Sequence, residues 1–207
     1  MDTIFSSKNL SVGKNIRLFK NPILEKLTYV PPILPLLIWA PIVSLCLSLG
    51  LIQNHITLTA TLLTGFAGLF FWTFAEYFLH RFVFHFHPHG VIQERIAFLI
   101  HGIHHDDPED ARRLLMPPVA AIAIASVFYV MFYAAFGTVY CNPFFGGFII
   151  GYLLYDYTHF AVHFARPRSK LMKKLKHNHM QHHFVSPELR YGVSNTFWDH
   201  VFKTVSK

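Results

Sequence analysis

Two long stretches of this chain contain no charged residue: residues 27–75 and residues 114–155. A helix at the surface of a soluble protein needs a polar outer face, which uncharged stretches of such length do not supply. Each stretch is about twice the roughly 20 residues that one helix needs to cross a bilayer, so each can hold a helical hairpin. The sequence therefore predicts an all-α integral membrane protein.

Four transmembrane helices in two hairpins are expected, at residues 33–52, 56–75, 119–140 and 144–164. We expect the hairpin turns around Asn54, in the sequence QNH, and around Asn142, in the sequence CNP, because both are typical of turns. Several prolines between Pro31 and Pro41 make the start of the first helix irregular.

The basic residues indicate how these helices are oriented. All 18 lysines and arginines lie before the first helix, between the hairpins or after the last helix, and neither short turn carries one. By the positive-inside rule, both termini and the segment between the hairpins face the cytosol. The net charge of +7 therefore reflects topology and attraction to anionic headgroups, and nucleic acid is not an expected partner.

We interpret all 207 residues as one membrane-embedded domain. Its expected cytosolic parts are an N-terminal segment, residues 1–30, and a helical cap made of residues 76–118 and 165–207. A cleavable signal peptide is not expected, because the first apolar run starts late and lacks a small-residue cleavage site. Cys46 and Cys141 lack paired spacing, which argues against a disulfide framework or a thiolate metal site.

Ten of the 15 histidines form four groups: His80 and His85; His101, His104 and His105; His159 and His163; His179, His182 and His183. In three groups the spacing is i, i+3 or i, i+4, which places the rings on one helical face. His80 and His85 are five residues apart, so either a helix ends there or the two point at different ions. A single match would carry little weight, but four groups together indicate metal ligation. The remaining histidines, His87, His89, His177 and His200 among them, are not predicted to be ligands.

The number of imidazoles points to two ions, because one ion takes at most about six ligands. Imidazole suits zinc, copper, iron and nickel. Zinc does not change its oxidation state, whereas a histidine-rich pair of iron ions is suited to activating O₂ against an unactivated C–H bond. We therefore predict two iron ions, with zinc able to replace them in purified protein.

Four acidic residues are candidates to accept a hydrogen bond from a ligating histidine: Glu76, Asp110, Asp156 and Asp199. A ligating histidine normally donates its other N–H to a carboxylate or a carbonyl. Pairing with nearby arginines is the alternative, and we expect it for the acids at 106–109. Asp156 stands in an apolar segment three residues before His159, where an acidic residue is costly and usually functional.

The chain resembles the fatty acid hydroxylase superfamily of membrane di-iron oxygenases, and within it the fatty acid 2-hydroxylases. The resemblance rests on EYFLHRFVFH, HGIHHDDPEDARRLLMPP, YDYTHFAVHF, HNHMQHHF and YGVSNTFWDHVF, which fall within residues 72–202. The motifs HxxxxH and HxxHH alone would also fit acyl desaturases, whereas the long run that begins at His101 is more specific to the family. The chain departs from the family pattern at Phe164, where a second adjacent histidine is usual, and at His177, which opens HNH in place of KYH.

The resemblance implies a monooxygenase that inserts one oxygen atom from O₂ at C2 of a fatty acyl chain, free or in a ceramide. It implies that the ten grouped histidines hold the metal ions, and no catalytic residue is expected beyond them. Many relatives carry a fused b-type cytochrome domain, for which this chain has no room. The expected partners are therefore the membrane, a lipid acyl substrate and an external electron donor, either a b-type cytochrome with its reductase or a ferredoxin-like protein. The expected membrane is the endoplasmic reticulum in a eukaryote and the inner membrane in a bacterium.

Other functions remain open from the sequence. One is a different oxygenase of the superfamily, acting on sterols or carotenoids, or a desaturase. A metal-binding or metal-transport protein is another, although its ligands would be expected near the middle of the membrane. A zinc-dependent membrane hydrolase is disfavoured by the number of imidazoles. The histidines flank the cytosolic ends of the predicted helices, at headgroup depth, and this position favours C2 of a lipid over a mid-chain carbon.

Overall fold

The computed structural model describes residue 14, residues 16–52 and residues 56–206, and every regular element in these residues is a helix. The α-helices are α1 Pro22–Leu27, α2 Leu34–Ile52, α3 Leu58–Phe78, α4 Val91–Ala97, α5 Ile103–Asp106, α6 Pro118–Phe164, α7 Lys170–Phe184 and α8 Phe197–Val201. Two π-helical segments, Leu79–Phe84 and Phe98–Gly102, continue α3 and α4. The all-α prediction is confirmed, and the turn predicted at Asn54 lies outside the described residues.

Among the described residues, three helices are long and apolar enough to cross a membrane: Leu34–Ile52, Leu58–Phe84 and Pro118–Phe164. The first begins one residue after its predicted start. Pro35 lies in its first turn, where the missing N–H removes no helical hydrogen bond, and Pro41 is accommodated inside the helix. The second helix extends beyond the predicted end through the first π-helical segment.

The third long helix, α6, has 47 residues and is broken at Gly137, whose φ is 62°. The ring centroids of Phe128 and Phe148 are 4.8 Å apart. Twenty residues of straight helix would separate them by about 30 Å. The chain therefore folds back at Gly137, and α6 consists of two antiparallel arms.

The turn predicted around Asn142 is wrong, because Asn142 lies inside the second arm. There its side-chain oxygen accepts a hydrogen bond from the Tyr129 hydroxyl of the first arm at 3.0 Å. The reversal needs a residue with positive φ, which glycine adopts without steric cost. Gly137 supplies it five residues before the predicted turn.

The chain divides into two compact units. The first unit comprises residues 1–29, 75–115 and 155–207, and the second unit comprises residues 30–74 and 116–154. All ten grouped histidines belong to the first unit. The predicted cap falls mainly in the first unit and the predicted membrane helices mainly in the second.

Helix packing in the second unit depends on small residues. A Cβ atom at Gly147 would overlap the backbone of Gly65, so α3 and the second arm of α6 approach each other as closely as their backbones allow. Small residues permit this approach in membrane helices. Large apolar side chains such as Leu63, Phe66 and Val130 are exposed instead, as expected for surfaces that face lipid.

In the first unit, a buried cluster of charged side chains joins the N-terminal segment to the residues that follow HGIHH. The Arg113 side chain is only 5% exposed and is 2.8 Å from the Asp110 carboxylate. It also pairs with Glu25 and stacks over the ring of Tyr29 at 4.7 Å. Arg112 bonds the same carboxylate of Asp110 at 2.9 Å. These contacts hold the segment that follows the histidines in a fixed position.

Candidate metal centre

The ten histidines converge into two groups of five in the described part of the chain. Group A consists of His80, His85, His101, His105 and His182, and group B consists of His104, His159, His163, His179 and His183. Within each group, the candidate ligand nitrogens all lie within 4.8 Å of one another. Sequence reasoning selected these ten residues, and the structure brings all ten together.

The spacing of each HxxHH motif explains how the groups are assembled. In HGIHH, the first and third histidines belong to group A and the second belongs to group B. In HMQHH, the first and third belong to group B and the second belongs to group A. Residues i and i+4 therefore share a group, while the histidine at i+3 reaches the neighbouring one. The two motifs interleave, which places the groups side by side.

His80 and His85 share group A although they are five residues apart. The alternative that the two point at different ions is therefore wrong, whereas the alternative that a helix ends there is confirmed, because the helical segment ends at Phe84 and His85 is its C-cap. The segment between them is a π-helix, in which the His85 N–H donates to the His80 carbonyl at 3.1 Å. In a π-helix residue i bonds to residue i+5, so the two rings come to the same side. The five-residue spacing was the only sequence signal of this segment.

The distances between the ring nitrogens fit a bound ion. Neighbouring Nε2 atoms are 3.0–3.2 Å apart in group A and 2.9–3.0 Å apart in group B. Two nitrogens bound at right angles, each about 2.1 Å from one ion, would be about 3 Å apart, and two on opposite sides about 4.2 Å apart. The neighbouring nitrogens of both groups match the right-angle separation.

Hydrogen bonds to backbone carbonyls fix the tautomer of some rings. His80 Nδ1 lies 2.5 Å from the Tyr191 carbonyl oxygen, and His182 Nδ1 lies 2.6 Å from that of Leu189. A carbonyl can only accept, so Nδ1 carries the proton and Nε2 presents its lone pair to group A. His163 bonds to the backbone of Pro108, which offers only a carbonyl because proline has no N–H.

The imidazoles are held in the neutral state that metal binding requires. Burial and neighbouring imidazoles lower the pKa of His101, His104 and His179 well below its usual range. The same two causes lower the pKa of His85 to about 3 and that of His105 to about 4. The donor set is therefore neutral, nitrogen-only and aimed inward, and it suits a transition-metal cation.

Three of the four candidate carboxylates, Glu76, Asp110 and Asp199, are placed differently from the expectation. The hydrogen bonds described for Glu76 and Asp199 come from the backbone and side chains of residues 191–204, and Asp110 is engaged by two arginines. Within the described residues, none of these three accepts directly from a grouped histidine. Asp156 is buried on α6, 1% exposed. The carbonyls of Leu189 and Tyr191 were missed from the sequence, because a backbone acceptor has no residue signature.

Four other histidines that the structure describes lie outside both groups. His87, His89 and His177 are exposed, and His200 is exposed with Nδ1 placed 2.7 Å from the Thr196 carbonyl oxygen. Phe164, which stands where the family pattern has a second histidine, packs against Phe160 with ring centroids 5.0 Å apart. Group B nevertheless reaches five imidazoles without that residue.

Comparison with known proteins identifies the family. The fatty acid hydroxylase family model matches residues 65–204. A dihydroceramide fatty acyl 2-hydroxylase of Arabidopsis thaliana is 36% identical, covering 81% of this chain and 70% of that protein. The fatty acid 2-hydroxylase of Mus musculus is 34% identical over 94% of this chain, which spans only 58% of the mouse protein.

A solved structure has the same fold. It is full-length Scs7p, in which only the hydroxylase domain is visible, and the TM-score is 0.85 at 36% sequence identity. The match covers 91% of this chain and 71% of that one. The family model, the relatives and the fold agree, and this chain belongs to the fatty acid hydroxylase family.

Proposed function

We propose that this chain is a membrane di-iron monooxygenase that hydroxylates C2 of a fatty acyl chain, free or within a ceramide or another sphingolipid. The C2–H bond is replaced by C2–OH with one oxygen atom of O₂. The other oxygen atom leaves as water, taking two electrons and two protons from a donor. Relatives named as fatty acid 2-hydroxylases and ceramide hydroxylases support this choice of reaction.

The observation that carries the proposal is the adjacency of two five-histidine groups. His105 of group A stacks on His183 of group B with ring centroids 4.2 Å apart. Each group holds one iron ion in our proposal, and the pair supplies the redox chemistry that O₂ needs. Neither group contains a carboxylate among its described members, unlike the zinc hydrolases considered from the sequence.

The protein's own residues prepare this site. Burial keeps the imidazoles neutral and excludes bulk water from most of them. The carbonyls of Tyr191 and Leu189 keep the proton on the outer nitrogen of His80 and His182, so the inner lone pairs stay available. No further acid or base is needed to create the donor set.

The membrane arrangement follows from length and charge. We propose that α2, α3 and both arms of α6 each cross the bilayer, since residues 118–136 and 138–164 are each long enough to do so. Both termini and the segment between the hairpins would face the cytosol, and the chain would form one membrane-embedded domain. In a eukaryote the membrane would be the endoplasmic reticulum, and in a bacterium the inner membrane.

This arrangement supports C2 as the site of oxidation. The grouped histidines follow directly on the ends of the proposed membrane helices in the sequence. A lipid whose headgroup rests at the interface presents its carboxyl or amide end, and therefore C2, at that depth. Oxidation at a mid-chain carbon would require the tail to be drawn past the metal ions instead.

The exposed face of α7 suits an acidic electron donor. Lys170, Lys173, Lys174 and His177 repeat at helical spacing and are exposed, while the opposite face of the same helix bears buried ligands such as His179. An electron donor with an acidic surface would be steered to this face. We propose a b-type cytochrome with its reductase, or a ferredoxin-like protein, in this role.

Isotope labelling of the lipid product tests the function. The chain is expressed in a host that lacks its own hydroxylase, heavy-isotope O₂ is supplied, and acyl lipids are analysed by mass spectrometry. We expect 2-hydroxy acyl chains carrying one heavy oxygen, and none from a variant with His104→Ala. Hydroxylation at another carbon, a new double bond, or an unlabelled hydroxyl group would contradict the proposal.

A further inference from the structure

The outer nitrogens of the histidines distinguish the two groups. In group A, Nδ1 of His80 and Nδ1 of His182 each face a carbonyl oxygen, at 2.5 and 2.6 Å. In group B, Nδ1 of His179 and Nδ1 of His183 are buried and have no hydrogen-bond partner among the described residues. Only His163 of that group has a described carbonyl partner, Pro108. The groups therefore match in their inner nitrogens and differ in their outer ones.

The carbonyl that holds His80 is itself held by a buried carboxylate. Asp199 is fully buried and accepts the backbone N–H groups of Tyr191 and Gly192, each at 2.9 Å. It also accepts from the Thr204 hydroxyl at 2.8 Å. A Cβ atom at Gly192 would approach the Asp199 carboxylate, so glycine is required for this close contact.

A second buried carboxylate holds the same loop two residues further along. Glu76 is 2% exposed and accepts the backbone N–H groups of Val193 and Ser194, each at 2.7 Å. The Ser194 hydroxyl donates to its other oxygen. Residues 189–194 are thus fixed at several points, and we call this segment the carbonyl clamp.

A fixed carbonyl partner strengthens a metal ligand. It sets the tautomer and the ring orientation and raises the basicity of the inner nitrogen, and losing such a partner typically costs about 10- to 100-fold in metal affinity. Group A has this support at His80 and His182. In group B, the outer nitrogens of His179 and His183 have no such hydrogen bond among the described residues.

We propose that the two ion positions are not equivalent: group A holds its ion firmly, group B exchanges its ion, and Asp199 and Glu76 are positioning residues that create the difference. The inference rests on the proposed function in one respect, that both groups hold a transition-metal ion. It assigns the carbonyl clamp to group A alone.

Graded chelation of zinc-loaded protein tests the inequivalence. The purified chain is reconstituted with Zn²⁺ and dialysed against increasing chelator, and zinc per chain is measured by elemental analysis. We expect two steps, separated by at least about tenfold in free zinc, with a plateau at one ion per chain. A single step that removes both ions overturns the inference, whereas protein that never holds two ions contradicts the proposed di-metal centre instead.

Adjacent substitutions identify the step that belongs to each group. His182 belongs to group A and His183 to group B. His183→Ala should keep the resistant ion and lose the exchangeable one, and His182→Ala should do the opposite. The neighbouring pair His105→Ala and His104→Ala gives the same assignment if one variant fails to fold. A resistant ion that survives the group A substitutions but not the group B substitutions overturns the inference.

Asp199→Asn tests the positioning role. Asparagine keeps the shape but presents an amide where a carboxylate accepted two N–H groups. The ion of group A should therefore be bound about 10- to 100-fold more weakly, and the affinity for the ion of group B should stay unchanged. Glu94→Gln alters an exposed carboxylate on α4 and should leave both steps unchanged. An Asp199→Asn protein that loses both ions in parallel, or neither, overturns the role of the clamp.

Discussion

The inner and outer ring nitrogens of the grouped histidines face different surroundings. The inner nitrogens converge to within 4.8 Å of one another in each group. The outer nitrogens of His80 and His182 are anchored on the backbone of a loop that precedes α8. Function at this scale therefore depends on spacing for the inner atoms and on tertiary contacts for the outer ones.

Loss of one grouped histidine should remove one ion and most of the activity. We expect His104→Ala or His182→Ala to reduce formation of 2-hydroxy acyl lipid by at least about 10- to 100-fold, because a ligand matters at least as much as its hydrogen-bond partner. His87→Ala and His89→Ala alter exposed imidazoles and should be nearly silent, within about 0.5 kcal/mol in stability. Protein level is measured in parallel. Loss of product in His87→Ala with full activity in His104→Ala would mean that the wrong histidines were chosen.

The ligand candidates could be predicted because their side chains are chemically distinctive and repeat at helical spacing. Their hydrogen-bond partners could not, because the Leu189 and Tyr191 carbonyls look like any other backbone group in a sequence. The roles of Glu76 and Asp199 also differ from the prediction. Both carboxylates are buried, but they accept hydrogen bonds from the loop at residues 191–194 rather than from the histidine rings.

The stability contribution of Glu25 should depend on pH. Burial opposes ionisation of Glu25, but the N–H groups of Phe19 and Leu18 and the Arg113 cation outweigh it, so its pKa lies below the ordinary value of 4.5. A lowered pKa in the folded state stabilises the fold above the ordinary value, and that stabilisation is lost as the pH falls through the folded pKa. Glu25→Gln should therefore lower the melting temperature at neutral pH.

The comparison across pH distinguishes this ion pair from simple packing. The difference in melting temperature between Glu25→Gln and the unmodified chain should shrink as the pH falls through the lowered folded pKa of Glu25, because the carboxylate then becomes protonated in both states. Glu94→Gln, at an exposed position on α4, is the matched control and should show no such trend. A difference that stays constant down to acid pH would contradict the electrostatic role of Glu25.

At the scale of helices, the long apolar segments were predictable and their interruptions were not. The break in α6 lies at Gly137 rather than in the CNP sequence, because a sharp reversal requires positive φ while Asn142 and Pro143 can remain in a membrane helix. The π-helical segment between His80 and His85 was likewise hidden, since composition does not distinguish it from an α-helix. In both cases a local backbone conformation determines where the helix bends or changes type, and the sequence pattern does not show it.

Close packing of α3 against the second arm of α6 should make one glycine substitution harmful and another harmless. Gly147→Ala would push a methyl group into the Gly65 backbone and should destabilise the protein by about 1–3 kcal/mol. Gly65→Ala meets only ordinary contacts, the nearest at 3.5 Å, and should be neutral or gain up to about 1 kcal/mol from helix propensity. Thermal unfolding in detergent measures both. Equal effects of the two variants would contradict the packing described.

At the scale of the whole molecule, charge predicts a topology that reporter fusions can test. All 18 basic residues fall outside the two predicted turns, so both termini should be cytosolic. A reporter inserted at Gly137 should read as external and one at the C-terminus as cytosolic. An external C-terminus would overturn the orientation and, with it, the depth proposed for the metal centre.

The general plan of the molecule could be read from its sequence, because a lack of charge over long stretches has few structural solutions. The assignment of histidines to two interleaved groups could not, since it depends on how HGIHH and HMQHH meet in three dimensions. From the sequence, the i, i+3 and i, i+4 spacings both predict rings on one helical face. In the structure only the i, i+4 pairs share a group, and the histidine at i+3 belongs to the other one.

Metal stoichiometry tests the central claim most directly, because the account depends on two groups of five histidines that each hold one ion. The chain is purified from cells grown with iron, its concentration is fixed by amino-acid analysis, and its metal content is measured by elemental analysis. We predict two ions per chain, iron in protein that forms 2-hydroxy lipid, although zinc can substitute because imidazole accepts both. One ion per chain, or none, would contradict the account.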